Sequence, residues 1–274
     1  MKEILLDELK RIELDILQQV HDLCQEQGLR YSLCGGTLLG AVRHKGYIPW
    51  DDDIDIFMPR PDYNKLIEYC KTHETPFQLL CHETDNRYGY LFGKAMSKTA
   101  KIIEENSESN GIEMGVYVDI FPLDGLADTY EKSKKLFNKT RFKRELLVAK
   151  NWSRFFKSKT HPWYYEPFRF AFFIMSRFVS RGKLIETIQK KYKNFDFDNS
   201  KYSATVCGSY RLKEILPTKV YAEYTTIEFE EKEFITIKDY EAYLSSIYGD
   251  YMQLPPEEKR CSHHMFKAYY EEEK

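Results

Sequence analysis

The sequence predicts an α/β protein of the α+β kind, a mixed sheet flanked by helices with a helical, basic and aromatic insertion. Three observations predict it. Two short runs, Asp53–Met58 and Val116–Phe121, alternate at the strand period of two and carry acids on one face. Apolar residues at helical spacing fill the stretches around them, beginning with Leu5, Leu9, Ile12, Ile16, Val20 and Leu23. After residue 128 the composition turns abruptly basic. At 274 residues the chain is long enough to bury a substantial core, as one large domain or a core with a helical addition.

Taken in order, Glu3 to Gln27 reads as a scaffold helix ended by Gly28. Leu29–Cys34 is a short strand, and Gly35-Gly36-Thr37 turns it into a helix over Leu38–Arg43. Glycines at such a turn let the backbone approach a ligand, and the free N–H groups of the helix start suit a phosphate. The basic Arg43-His44-Lys45 and a Gly46 turn lead to Trp50 and the run Asp51-Asp52-Asp53.

On the strand that follows, Asp53 and Asp55 emerge together while Ile54, Ile56 and Met58 point to the core. Two carboxylates on one face repel each other and lose hydration, and a bound divalent cation relieves both costs. The bland alternative is a pair of surface aspartates on an edge strand or a folded-back turn. Asp51 and Asp52 lie in the approach to the strand. Pro59 ends the strand, and a helix with Tyr63, Leu66, Ile67 and Cys70 on one face follows.

Phe77–Cys81 and Tyr88–Ser97 read as strands, the second holding Lys94 between apolar residues. Such a lysine is either an edge gatekeeper or a phosphate ligand. Glu104 to Gly111 is a polar loop. In Val116–Phe121 the valines and Ile120 share one face, and Tyr117, Asp119 and Phe121 share the other. Asp119 is therefore a third strand-borne acid, able to join Asp53 and Asp55 if the two strands are neighbours. Asp124 suits the structural task of capping the following turn.

From Lys132 to Lys159 eleven basic residues face one acid, Glu145. Pro162 breaks this segment. The next helix carries Phe168, Ala171, Phe172, Met175, Phe178 and Val179 on one face, flanked by Arg169, Arg177, Arg181 and Lys183. That pattern suits an anionic membrane surface or a lipid-linked anionic substrate; alternatively the aromatic face packs on the core and the charges face water. Short strands at Ala204–Cys207, Thr226–Glu230 and Phe234–Ile237 and a helix at Tyr240–Tyr248 complete the chain. Asp250 and Tyr251 sit in a rigid loop before Pro255-Pro256, and Cys261, His263 and His264 lack a second pair at zinc-ligand spacing.

A net charge of −2 argues against a nucleic-acid partner for the whole molecule. Six scattered cysteines without a CxxC pair, and a charged N-terminus unlike a signal peptide, lead to the expectation of a reduced, cytoplasmic protein. The longest apolar run, near Phe170–Met175, is too short to cross a bilayer.

Three ordered stretches, GGTLLGAVRHKGYIPWDDDIDIFMPRPDY, VYVDIFPLDG and YGDYMQLPPEEKR, together resemble the LicD family, which includes bacterial phosphocholine transferases and fukutin-related proteins. They span roughly residues 35–260. The resemblance implies a nucleotidyltransferase-like core over 1–128, a helical insertion over 129–200 near the acceptor or membrane, and a C-terminal part over 201–274 that completes the catalytic unit. No motif of the family falls within about 130–200, where substrate choice is expected to reside.

The resemblance further implies that Gly35-Gly36 is the turn of the active site. Asp53, Asp55 and Asp119 would be its catalytic acids and would hold one or two Mg2+ ions, with Mn2+ as the alternative. The implied reaction moves phosphocholine from CDP-choline to a sugar hydroxyl of a teichoic-acid or other surface-glycan precursor, releasing CMP. Arg43, Lys45 and Lys94 are the expected phosphate contacts, and Thr37 is an expected substrate contact beside the glycines. Tyr47, Trp50 and Tyr117 are the aromatic candidates for choline, and Asp250 and His264 are further substrate candidates. The implied partner is a lipid-linked anionic glycan precursor, met by peripheral contact with the inner membrane surface, with no nucleic acid. A donor such as CDP-ribitol or CDP-glycerol, and a non-catalytic membrane-peripheral adaptor, are the alternatives.

Overall fold

The computed structural model describes residues 2–104, 110–158, 162–260 and 266–270. A short strand, β1 (Lys2–Ile4), leads into α1 (Leu6–Gln27). The helix buries Leu9, Ile16, Leu17, Val20 and Leu23, each worth about 1.5–3 kcal/mol when fully covered. Gly28, at φ +60°, closes it by donating to the carbonyls of Cys24 and Gln25. Next come β2 (Ser32–Leu33), α2 (Gly35–His44), β3 (Asp55–Pro59) and α3 (Arg60–Thr72). Strands β4 (Gln78–Leu80), β5 (Gly93–Glu104) and β6 (Met114–Gly125) then build the middle of the sheet.

Four helices follow, α4 (Tyr130–Lys139), α5 (Arg141–Lys150), α6 (Glu166–Arg177) and α7 (Arg181–Tyr192). The chain returns through β7 (Tyr202–Thr205), β8 (Leu216–Pro217), the hairpin of β9 (Tyr224–Phe229) and β10 (Lys232–Ile237), α8 (Tyr240–Tyr248) and β11 (Phe266–Tyr270). The main sheet is mixed and unclosed, running β1-β11-β5-β6-β3-β2, with β4 added beside β5 and β7 and β8 beyond the end of β6. β3 and β6 pair in parallel, and β5 pairs antiparallel with β6.

The period-two reading of β6 matches its burial: Val116, Val118 and Ile120 are buried while Tyr117, Asp119 and Phe121 are half-buried. Several boundaries differ for physical reasons. Residues Lys2–Ile4 pair with Ala268–Tyr270 as a strand, so α1 begins later than predicted. β3 begins at Asp55 and not Asp53. β5 begins at Gly93 and not Tyr88; before it Tyr88, Tyr90 and Phe92 pack at tilted angles, with ring centroids 5.2 and 5.3 Å apart, in an irregular approach. Asp124 accepts a bidentate pair from Arg60 at 2.7 and 2.9 Å, a buried bridge between β6 and α3.

The main core lies between the sheet, α1 to α3, the hairpin and α8. A second core gathers Phe137, Leu146, Leu147, Leu184, Ile185 and Ile188 from α4, α5 and α7 against Ala204 of β7. The helical insertion thus has a packed base of its own, rich in aromatics and with basic residues nearby. Within it Trp152 packs on Phe156, with ring centroids 5.2 Å apart. Among the described residues Cys24, Cys34, Cys70, Cys81 and Cys207 are free thiols.

Candidate active site

The parallel register of β3 and β6 sets Asp55 directly beside Asp119, and the antiparallel register of β5 sets Lys94 on the other flank of Asp119. Lys94 is 3% exposed, and its Nζ donates to Asp119 Oδ1 at 2.8 Å. In front of this row, Asp51, Asp52 and Asp53 fold together in the irregular approach to β3. One carboxylate oxygen from each lies within 4.8 Å of those of the other two. Among the described residues this is the acid group that compact. Asp53 lies two residues before the start of β3.

The two groups nevertheless act on each other. Burial, then the charges of Asp53, Asp119 and Asp51, push the Asp55 carboxyl well above its ordinary value, and Lys94 offsets part of this. Carboxylates so crowded favour a bound cation, and an all-oxygen donor set fits a hard divalent ion such as Mg2+ or Mn2+.

The glycines explain how the acids come so close to α2. Gly35 sits at φ +53°, and a Cβ there would lie 3.2 Å from Asp55 Oδ2. At Gly36 a Cβ would lie 2.6 Å from Asp51 Oδ2. The turn is a cradle that only glycine leaves open. Thr37 serves as a strut: its hydroxyl accepts the Asp55 N–H at 2.8 Å, and Cys34 donates its N–H to the Asp55 carbonyl at 3.1 Å. The Gly35 N–H donates to the Tyr243 hydroxyl at 3.3 Å.

A basic and aromatic corner flanks the acids. Arg43 donates from Nε to His44 Nε2 at 2.9 Å and from a guanidinium N–H to the Tyr251 carbonyl at 3.1 Å. Arg260 stands 5.6 Å from the ring centroid of Trp50 and donates to the Pro255 carbonyl at 2.8 Å. Burial first, and then the nearby charge of Arg260, lower the Arg43 pKa. Two arginines that repel each other are a ready partner for a phosphate.

The other predicted residues are placed differently. Lys45 caps α2 at φ 58° and pairs with Glu228 at 2.9 Å on the hairpin. The Tyr47 hydroxyl lies 2.9 Å from the Lys10 carbonyl and 3.3 Å from Glu13 Oε2, and its ring faces Lys10 Nζ at 4.7 Å. The Tyr117 ring carries Lys94 Nζ at 3.2 Å from its centroid, with Phe92 and Tyr90 also around that lysine. One face of that ring therefore already holds a cation of the chain's own. Asp250 is exposed, and its carbonyl accepts from the Gln253 N–H at 3.2 Å. His264, with Cys261 and His263, lies outside the described residues.

Sequence reasoning passed over Arg260, although it ends the third motif. It also gave no signal for two buried acids. Glu13 of α1 is 3% exposed; burial, then the charge of Asp53, holds its pKa well above the ordinary value. Glu214, also 3% exposed, accepts the Tyr210 N–H at 3.0 Å, and burial raises its pKa to about 8. Tyr210 and Tyr248 share a hydroxyl–hydroxyl bond of 2.7 Å, and both feel the charge of Asp55. They bring aromatic surface to the acids' side of the molecule.

Comparison with known proteins agrees with this geometry. The family model of the LicD/FKTN/FKRP nucleotidyltransferase domain matches residues 28–175. The chain is 31% identical to the lipopolysaccharide cholinephosphotransferase LicD of Haemophilus influenzae over 278 aligned positions, 98% of this chain and 99% of that protein. Shorter matches reach an uncharacterised protein of Rickettsia typhi, 40% identical over 63 residues, and one of Rickettsia prowazekii, 45% identical over 47. These cover 23% and 17% of this chain, and 20% and 18% of those proteins. With glycine turn, clustered acids and a near full-length relative in agreement, the chain belongs to the LicD family and is a transferase with its nucleotidyltransferase domain.

Proposed function

We propose that the protein transfers phosphocholine from CDP-choline to a sugar hydroxyl of a lipid-linked anionic glycan precursor, releasing CMP. The observation that carries this reading is the end-to-end similarity to a protein named as a lipopolysaccharide cholinephosphotransferase. The acceptor oxygen forms a bond to the phosphorus that bears choline. The bond from that phosphorus to the bridging oxygen breaks, and CMP leaves with the electron pair. The acceptor proton passes to a carboxylate, Asp119 or Asp53.

In this reading Asp53, Asp55 and Asp119 hold one or two Mg2+ ions, and Asp51 and Asp52 complete the acidic pocket. The ion supplies neutralisation of the diphosphate charge. Arg43 and Arg260 orient the phosphates, and the N–H groups of Gly36 and Thr37, in the first turn of α2, give fixed donors. Choline cannot donate a hydrogen bond and prefers aromatic faces, each worth about 1–2 kcal/mol when desolvated. Tyr210 and Tyr248 are the rings left for it, since Tyr117 carries Lys94 and Trp50 faces Arg260. The enzyme would work in the cytoplasm, at the inner membrane face where such precursors are built.

The test uses purified protein, Mg2+, an acceptor with a free sugar hydroxyl and a panel of CDP-alcohols. Metal-dependent CMP release with CDP-choline, lost in Asp53→Asn, supports the assignment. Equal turnover of CDP-ribitol or CDP-glycerol would overturn the choline reading while leaving the transferase in place.

A further inference from the structure

Helix α6 is amphipathic in the reverse sense to an ordinary surface helix. Its exposed residues, Pro167, Phe168, Phe170, Ala171, Ile174 and Met175, are all apolar, and Phe178 just beyond it is 86% exposed. Its arginines turn inward. Arg169 donates to Glu166 and to the Phe156 carbonyl and stands 4.8 Å from the Trp152 ring centroid. Arg177 donates to the carbonyls of Ala149 and Lys150. Of the predicted aromatic face only Phe172 and Val179 pack against the second core. The sequence alternative in which the aromatic face packs on the core and the charges face water does not describe this arrangement.

The exposure is concentrated. Of the sixteen large hydrophobic side chains exposed among the described residues, ten lie between 142 and 178. Free surface of that kind marks an interaction site. We propose that α6, with the turn of Trp163–Tyr165 before it, is a membrane-docking surface that lies in the interface of a bilayer containing anionic lipid.

Three features favour a bilayer over a protein partner. Trp163, Tyr164 and Tyr165, all exposed, cluster at one end of the helix, and polar-tipped aromatics prefer the headgroup level. Basic residues adjoin the patch in sequence: Arg141 and Lys143 stand on either side of the exposed Phe142, whose ring is 5.3 Å from Phe172, and Arg154 and Lys157 on either side of Phe155-Phe156, with Phe155 5.1 Å from Phe170. Their charge complements an anionic surface. A symmetric pair of copies would instead press one basic rim against the other. At twelve residues α6 is suited to lie in the interface plane, and among the described residues no helix is long and apolar enough to cross a membrane. The inference draws its biological purpose from the proposed lipid-linked acceptor, but its test reads binding without turnover.

The full chain is sedimented at low salt with phosphatidylcholine vesicles, with and without phosphatidylglycerol. The wild type is expected to bind the anionic vesicles, with a blue shift of fluorescence that Trp163→Phe removes. Substituting Trp163, Phe168 and Phe178 together by Ser should weaken binding by about tenfold or more. All three side chains are exposed, so circular dichroism and CMP release without vesicles should be unchanged. Arg141→Glu with Lys157→Glu should remove the preference for anionic lipid. Wild type that stays in the supernatant, or a triple variant that binds as wild type does, overturns the inference. So does a wild-type dimer that the triple variant makes monomeric with no vesicle binding. CDP-choline turnover without vesicle binding would defeat only the docking surface, and vesicle binding without turnover would defeat only the donor assignment.

Discussion

Lys94 Nζ donates to Asp119 at 2.8 Å from a side chain that is 4% exposed, and Asp119 stands in register with Asp55. The lysine is thus the built-in counter-charge of an acidic cluster, held in a cage of Tyr90, Phe92 and Tyr117. A buried ion pair gains little net stability, but removing one partner leaves an uncompensated charge. Lys94→Met is expected to cost about 3–5 kcal/mol in urea unfolding. The double variant Lys94→Met with Asp119→Asn should recover a large part of that loss. Additive losses in this cycle would mean the pair is uncoupled.

The glycine cradle makes a sharper test of geometry. A Cβ at Gly36 would stand 2.6 Å from Asp51 Oδ2, and Gly36 lies within α2 at ordinary backbone angles. Gly36→Ala therefore strains no dihedral; it displaces the Asp51 carboxylate. We expect melting within a few degrees of wild type, because helix propensity gained is about 1 kcal/mol, and a fall in CMP release of about tenfold or more. Unchanged turnover would show that Asp51 has no fixed place in the reaction.

Much of this was legible in the sequence because it depends on period. The alternation of β6 told which face Asp119 shares, and the glycine turn and the two acidic strands pointed to one site. What was not legible depends on contacts distant in sequence. Nothing local says that β3 starts at Asp55, since the ladder bond from the Asp119 N–H to the Ile54 carbonyl comes from another strand. Tyr117 looked like a ring for choline, but Lys94 reaches it across the β5–β6 pair. The arginines of α6 lie at positions that read as solvent-facing flanks, yet carbonyls of α5 draw Arg177 inward.

Metal binding separates the two acid groups. Asp53 belongs both to the compact Asp51–Asp53 group and to the set proposed with Asp55 and Asp119. A ligand at a hundredfold excess over its Kd adds about 2.7 kcal/mol of stability. For a chain of this size that raises the melting temperature by about 5–10 °C. We expect Mg2+ to produce this rise in the wild type and chelation to reverse it. Asp53→Asn should abolish the rise, and Asp55→Asn should weaken it strongly, whereas Asp52→Asn should leave at least half of it. Loss in Asp52→Asn with retention in Asp55→Asn would assign the ion to the approach segment instead.

Glu214 predicts a pH dependence of stability of definite sign. Its carboxyl is 3% exposed, and a Cβ at Gly208 would collide with both its oxygens. Burial raises its pKa from the ordinary 4.5 to about 8, against the opposing effects of the Tyr210 N–H, Thr205 and Arg144. Between these two values the folded state holds a proton that the unfolded state has released, so stability falls as pH rises. The stabilisation is fully present below about pH 4.5 and is lost as pH passes through about 8. Glu214→Gln keeps the neutral shape and the acceptor for the Tyr210 N–H but cannot titrate. The variant should match the wild type near pH 5 and exceed it near pH 8.5 by on the order of a few kcal/mol, since each tenfold change in proton affinity between the folded and unfolded states is worth about 1.36 kcal/mol. Other titrating groups are common to both proteins and cancel in the difference. A gap between the two unfolding curves that stays constant with pH would show that Glu214 does not hold its proton in the fold.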